Sequence, residues 1–484
     1  MSYPPINDHG IIGDMHSAAL VSITGSIDWL CMPRFDSPSV FAAILDDAKG
    51  GFFQVGPANA DASNCKQFYW PDTNVLVTRF LQEGAAAELI DFMPVEADSD
   101  FTTSHRQVIR RVTAVRGSMK LRAECRPAFN YARDDHKTVL IDGGAEFHSV
   151  ETHLGLATSV PLAIENNGAV AEFSLGEGQT VTFVLRELDE SEACGLALTD
   201  EDAEAAFRET VTYWRDWLSQ STYRGRWREM VDRSALALKL LTYEPTGAIV
   251  AAPTCSLPEG IGGERNWDYR YTWMRDSAFT VFALLRLGFT KEAQAFAKFI
   301  EGVCADPNPD GSLQIMYGID GRKMLTEETL DHLDGYMGSR PVRIGNGAYN
   351  QLQLDIYGEL MDSMYLFNKH AHPIGHDAWL NFSRLVDWVC DNWQRKDEGI
   401  WEVRGGQQEF VYSKLMCWVA LDRGLRIAEK RSFPANVTRW TAERDAIYLE
   451  IMKKGWNEEL GAFVQHYGSD TLDASNLMLI LTFF

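Results

Sequence analysis

Near residue 200 the hydrophobic period of this 484-residue chain switches from two to the 3.6 of a helix. That switch limits the fold more than any other feature, because strands and helices bury different residue spacings. In 118–126, Met119, Leu121, Ala123 and Cys125 alternate with Lys120, Arg122, Glu124 and Arg126, the pattern of a strand with one buried face. Thr24-Gly25 separates two apolar runs in 18–33, and Gly176 and Gly178 separate two more in 170–188, each a strand–turn–strand signature. Many short antiparallel strands predict a β-sandwich over 1–199.

Asp200, Glu201 and Asp202 open a helical pattern, acids placed where a helix N-terminus favours them. This predicts a linker helix within 200–225. Helical segments follow near 228–244, 275–288, 291–304, 349–369, 377–394, 413–430, 436–456 and 475–484. Leu352, Ile356, Leu360 and Met364 form one apolar stripe, and Trp418, Leu421, Leu425 and Ala428 another. The connection 305–348 is rich in Gly, Pro and Asp, and loops this long inside a helical domain are usually functional. Eight helices joined by alternating short and long connections suit a toroid of hairpins with its long loops at one end. A generic helical bundle meets the same periodicity.

With 68 acidic and 45 basic residues the formal charge is −23, which repels phosphate backbones and anionic lipid. Neither nucleic acid nor a membrane is an expected partner; a neutral small molecule is. The 14 Trp, 16 Tyr and 25 Phe suit stacking on sugars, although core filling uses the same residues. Cysteines at 31, 65, 125, 194, 255, 304, 390 and 417 form no C-x-x-C pair, so thiols in a reducing compartment are expected rather than zinc or a dithiol. The N-terminus lacks a signal-peptide pattern and no apolar run spans a bilayer, so a cytoplasmic location is expected. Oligomeric state is left open.

Three clusters carry chemistry. Asn266–Ser277, "NWDYRYTWMRDS", packs two Trp, two Tyr, two Arg and two Asp ahead of an apolar helix. Such a set grips a pyranose, rings on its apolar face and Asp or Arg on vicinal hydroxyls, or else caps a helix with a salt bridge. "GSRPVRIGNGAYNQLQLD", Gly338–Asp355, sets Arg340 and Arg343 in a glycine-rich loop, fit either for binding or for pairing with acidic neighbours. "GIWEVRG", 399–405, puts Glu402 beside Trp401 and Arg404; a semi-buried glutamate beside a ring is a candidate proton donor. "PEGIGGER", 258–265, has no Lys-Ser/Thr after it and is not a phosphate loop. "HAH", 370–372, lacks zinc-protease spacing, and no G-x-S-x-G turn occurs.

These blocks, with "IGDMHSAALVSITGSIDWLCMPRFDSPSVFAAILD" near the start and "SKLMCWVALDRGLRIA" after Glu402, resemble glycoside hydrolase family 15, the glucoamylases and their bacterial glucosidase and trehalase relatives. The resemblance covers essentially the whole chain. It implies an N-terminal antiparallel β-sandwich (1–199), a helical linker (200–225) and an (α/α)6 barrel (226–484) with its C-terminal helices missing. Arg275 and Asp276 resemble the pair that holds the far hydroxyls of the non-reducing glucose. Tyr269 and Trp273 resemble rings of that subsite, and Arg340 an arginine of the funnel. Glu402 resembles the general acid and Trp401 the wall of the next subsite. Many family members carry a second acid directly after the first; here it is Val403.

The reaction implied is inverting hydrolysis of a terminal α-glucoside, glucoamylase type first, with α,α-trehalose hydrolysis and a non-catalytic sugar-binding module as alternatives. It calls for no metal or organic cofactor. Inversion needs two carboxyls roughly 6.5–9.5 Å apart. The family's base is a glutamate in a "SEE" or "AEQ" segment before the last barrel helices, and no glutamate here has that context. Glu327 and Glu328 sit in the wrong block. Four further helices would need on the order of 110 residues, so the general base is expected outside this chain. Linkage and chain-length preference are not legible.

Overall fold

The computed structural model describes residues 3–59, 64–95, 106–189, 194–403 and 405–484. The chain divides into two units: Met1–Leu241 with Ala252–Arg270 and Glu328–Ile344, and Thr242–Ala251 with Tyr271–Glu327 and Gly345–Phe484.

The first unit holds two eight-stranded antiparallel sheets. One runs in space through His9–Gly13, Ala18–Ser22, Ser26–Cys31, Phe52–Pro57, Ser118–Arg126, Gly168–Gly176 and Ala163–Glu165, with Ser39–Phe41 beside Ser26–Cys31. The other runs through Lys137–Ile141, Gly144–His148, His153–Thr158, Thr180–Leu188, Gln107–Arg116, Ala85–Phe92, Leu76–Gln82 and Asn64–Tyr69. Ile27, Phe53, Leu121 and Ala123 of the first and Leu89, Val112, Leu156 and Phe183 of the second share one buried cluster, so alternate residues of both sheets meet face to face. Arg110, buried in that core, donates Nε and Nη2 to Asp91 at 2.8 and 3.2 Å. It also donates to the carbonyls of Gly25 (2.7 Å) and Phe53 of the opposite sheet, satisfying a charge that would otherwise be costly to bury.

The strands around Gly176 and Gly178 are where the structure departs from a local reading. Gly168–Gly176 and Thr180–Leu188 are not hairpin partners; they lie in opposite sheets. The turn carries the chain from one sheet to the other, between strands interior to each, while both strands keep apolar residues on the shared core.

Helix Asp200–Ser219 is capped by the Thr199 hydroxyl, which accepts from Asp202 N–H at 3.1 Å. Two stretches from the region of helical period, 252–270 and 328–344, also group with the first unit. They form short pairs, Cys255–Pro258 with Asn266–Asp268 and Glu328–Thr329 with Arg343–Ile344. Leu330, Tyr336 and Val342 join Trp29, Ile44 and Tyr131 in a second buried cluster. Neither stretch has a helix period, and their apolar residues find their partners there instead.

The second unit is helical: Met274–Leu287, Thr290–Ala305, Asp355–His370, His376–Asn392, Val411–Arg431 and Val437–Glu450, the last continuing into a wide turn at Ile451–Gly455. The helices Asp355–His370 and Val411–Arg431 pack so closely that a Cβ on Gly358 would lie 2.2 Å from the Met416 carbonyl oxygen. The helix predicted from 349 begins at Asp355, because Leu352 and Leu354 donate their N–H groups to the carboxylates of Glu398 and Asp397, each at 2.9 Å. The helix predicted over 475–484 is only two short turns, Ala474–Leu477 and Met478–Leu481, since Asn476 and the Thr482 carbonyl are held by tertiary partners. All eight cysteines are free, seven of them buried. No described helix is long and apolar enough to cross a membrane.

Candidate active site

Glu402 lies in the second unit, on the loop between helices His376–Asn392 and Val411–Arg431. The foot of that loop is closed by paired backbone bonds, Asp397 N–H to Gln408 O at 3.0 Å and Gln408 N–H to Asp397 O at 2.9 Å. Gly399 has φ 69°, and a Cβ there would meet the Phe410 ring at 2.6 Å. Glu402 is itself left-handed, φ 52°, with its N–H on the Gly399 carbonyl at 3.1 Å. A non-glycine residue in that region costs about 1–2 kcal/mol and persists where its surroundings fix it.

The Glu402 side chain is 24% exposed. Its Oε1 accepts from Trp273 Nε1 at 2.7 Å and from Arg275 Nη2 at 3.2 Å. Trp273 ends the strand Thr272–Trp273, which pairs with Met316–Tyr317, and directly precedes helix Met274–Leu287. Arg275 is therefore in the first helical turn. Its Nη1 donates to Gln353 Oε1 at 2.9 Å and reaches Asp355 Oδ2 at 3.4 Å. Burial disfavours the Arg275 charge, but Asp355, Asp276 and Glu402 outweigh it and hold its pKa above the ordinary arginine value. Asp276, half exposed, has Oδ2 3.9 Å from Arg275 Nη2. One guanidinium thus links three carboxylates, with Glu402 and Asp276 open to solvent and Asp355 buried.

Trp401 is 56% exposed and gives its indole N–H to Asp473 Oδ2 at 2.8 Å. The ring hydrogen-bonded to Glu402 is therefore Trp273, distant in sequence, rather than the adjacent Trp401. Adjacency misleads because the two neighbouring side chains turn to different partners. Tyr269 and Arg340 belong to the first unit. The main chain of Tyr269 bonds Thr254 and Ala252, and Arg340 pairs with Asp334. Arg404 lies outside the described residues.

Beneath Arg275 are three acids that sequence reasoning missed. Asp397 Oδ2 accepts from Leu354 N–H at 2.9 Å and Ser413 Oγ at 2.7 Å. Glu359 accepts from the Tyr412 hydroxyl. Oδ1 of both Asp355 and Asp397 is buried without a hydrogen-bond partner. Burial pushes Asp397 up to about 7 and Glu359 up to about 8, against hydrogen bonds that pull the other way. Burial also raises Asp355, with Arg275 opposing it. Their signal was present in the sequence: Asp355 and Glu359 sit four apart along the Leu352–Met364 stripe, where a solvent-facing acid does not belong. Among the described residues no three His, Cys, Asp or Glu side chains gather as metal ligands.

The model of glycosyl hydrolases family 15 matches residues 225–484, the part that carries Trp273, Arg275 and Glu402. The chain belongs to that family. In this family 15 chain a second model, trehalase-like N-terminal, matches residues 1–186. The trehalase of Mycolicibacterium smegmatis is 40% identical over 100% of this chain and 75% of its own length. That of Thermoplasma volcanium is 37% identical over 99% and 75%. A bacterial glucoamylase solved with acarbose superposes with a TM-score of 0.69 at 13% identity, covering 98% of this chain and 72% of that one. The fold is thus glucoamylase-like, an N-terminal antiparallel β-sheet domain followed by a helical domain, and the protein is a glycoside hydrolase.

Proposed function

We propose that this family 15 chain recognises α,α-trehalose and supplies the acid half of its inverting hydrolysis. Glu402 is the general acid. Because Trp273 and Arg275 both donate to Oε1, the proton delivered to the departing oxygen sits on Oε2. Arg275 and the half-exposed Asp276 hold hydroxyls of the terminal glucose, and Trp401 faces the leaving sugar. Residues 226–484 contribute to an (α/α)6 barrel, with 200–225 as linker and 1–199 as β-sandwich. No glutamate of the chain stands in the context of the family's general base, so none of these residues is given that role.

The observation that favours trehalose over α-glucans is that relatives at 37–40% identity along essentially the whole chain are trehalases, whereas the glucoamylase likeness, at 13% identity, is one of fold. Calorimetric binding of trehalose, maltose, isomaltose and soluble starch tests this, alongside glucose release with and without added formate or azide as a surrogate for the base. Trehalose should bind best. Its slow cleavage should be accelerated by the added anion and abolished by Glu402→Gln, since a positioned proton transfer contributes ~10²–10⁴-fold. Preference for maltose or starch would return the glucoamylase reading. Binding with no anion-dependent cleavage at all would make the chain a sugar-binding module.

A further inference from the structure

Trp401 precedes the acid and presents an exposed indole, a costly side chain to leave loose in a binding site. Ordering a free side chain on binding costs about 0.5–1.5 kcal/mol. Here the ring is already tethered. Asp473 Oδ2 accepts from Trp401 Nε1 at 2.8 Å and from Gln465 Nε2 at 3.0 Å. Asp473 Oδ1 accepts from the Ser475 N–H at 2.8 Å and its hydroxyl at 2.7 Å. Four donors occupy both carboxylate oxygens. Burial alone would raise the Asp473 pKa, but the bonds from Ser475, Trp401 and Gln465 outweigh it and hold the carboxyl below the usual aspartate range, so the acceptor stays charged.

The segment that presents Asp473 is braced against the exit of the Glu402 loop. Val411 N–H bonds Gln465 O at 3.0 Å, Tyr467 N–H bonds Glu409 O at 3.0 Å, and Gln465 N–H bonds Thr471 O at 2.8 Å. The amide of Asn476 reaches the carbonyls of Phe463 and Val464 at 3.3 and 3.0 Å. The loop carrying the acid and the support of the indole therefore share one footing at residues 409–411.

We propose that Asp473 is a specificity-determining positioning residue, which locks Trp401 as a fixed stacking face for the leaving sugar of a disaccharide. The inference rests on the trehalose reading above. It separates two sugar positions: Trp273, Arg275 and Asp276 grip the terminal glucose, while the tether between Asp473 and Trp401 acts only on the second ring. Glucose alone should ignore it.

Calorimetric titrations of the 484-residue chain with trehalose and with glucose test this in Asp473→Asn, Trp401→Phe and the double variant. Asp473→Asn should weaken trehalose roughly three- to tenfold, the cost of ordering one ring, and leave glucose within about twofold. Trp401→Phe keeps a ring but loses the tethered N–H, so the double variant should be no weaker than the weaker single one. Trehalose affinity unchanged in Asp473→Asn, equal losses for both sugars, or additive losses in the double variant would each overturn the assignment. Should Asp473→Asn also lower the melting temperature, Trp401→Phe leaves the Asp473 bonds to Ser475 intact and carries the same comparison. If the parent binds maltose and not trehalose, the substrate reading fails, and the same series on maltose decides the tether separately.

Discussion

Replacing Arg275 by methionine removes the cation that joins Glu402 to the buried acids. Asp355 is 0% exposed and the Arg275 side chain 11%, so solvent does little to screen the pair. Breaking a buried ion pair from one side costs about 3–5 kcal/mol. The contact here is 3.4 Å, longer than a strong charge-assisted bond, and Asp355 can take a proton, so the lower end applies: ~3 kcal/mol at about pH 8. For a unit of this size that is a loss of roughly 6–12 °C in Tm. The pH dependence follows from the same pair. Arg275 is the main influence lowering the already raised pKa of Asp355, and Asp276, Glu359, Asp397 and Tyr412 around it add no positive charge. Without Arg275 the folded carboxyl binds its proton to higher pH, so the stability it contributes is present in acid and lost as pH rises. The variant should therefore lose more stability than the parent as pH rises from about 5 to about 8, by no more than ~1.4 kcal/mol per pH unit and by ~3 kcal/mol in all. Thermal unfolding followed by circular dichroism at both ends of that range measures it, and Arg275→Met with Asp355→Asn should regain most of the loss. A Tm within about 2 °C of the parent at the alkaline end, or a pH slope identical to the parent's, would refute the account.

Glu359 and Asp397, raised to about 8 and about 7, make the parent itself more stable in acid; its Tm should fall from about pH 5 to about pH 8, and Glu359→Gln or Asp397→Asn should flatten that fall. A parent Tm that rises over this range would contradict the buried, proton-binding state of both acids. Gly399→Ala forces a Cβ onto the Phe410 ring at φ 69° and should cost about 1–3 kcal/mol in chemical denaturation, with weaker trehalose binding because the same turn holds Glu402. Trp273→Phe removes the 2.7 Å donor on Glu402; with the carboxylate partly solvated, the loss should be about 1 kcal/mol, near fivefold in trehalose affinity by calorimetry.

What the sequence conveyed depended on how local the physics was. The alternation through Met119–Cys125 was readable because one strand carries both its faces, and each face is set by neighbours two residues away. The Gly176–Gly178 turn signals only that the chain reverses; which sheet receives Thr180–Leu188 depends on residues far off, such as Gln107–Arg116. Trp273, Arg275 and Glu402 were each visible as polar–aromatic candidates, yet their meeting spans 129 and 127 residues. Adjacency offered Trp401 as the ring beside the acid, whereas its indole goes to Asp473, 72 residues on. Asp355 and Glu359 went unread because a lone acid on an apolar stripe is normally discounted, although it is there that burial shifts proton affinity most.

The chain crosses between its two units five times, at 241/242, 251/252, 270/271, 327/328 and 344/345. No single proteolytic nick or gene fusion point can therefore part them. A chimera that inherited the first 241 residues from one parent would import Trp29 and Tyr131 without the Leu330, Tyr336 and Val342 they pack against. Recombination that preserves this protein must transmit the three separated pieces of each unit together, so the two halves are expected to diverge in step rather than be exchanged as modules.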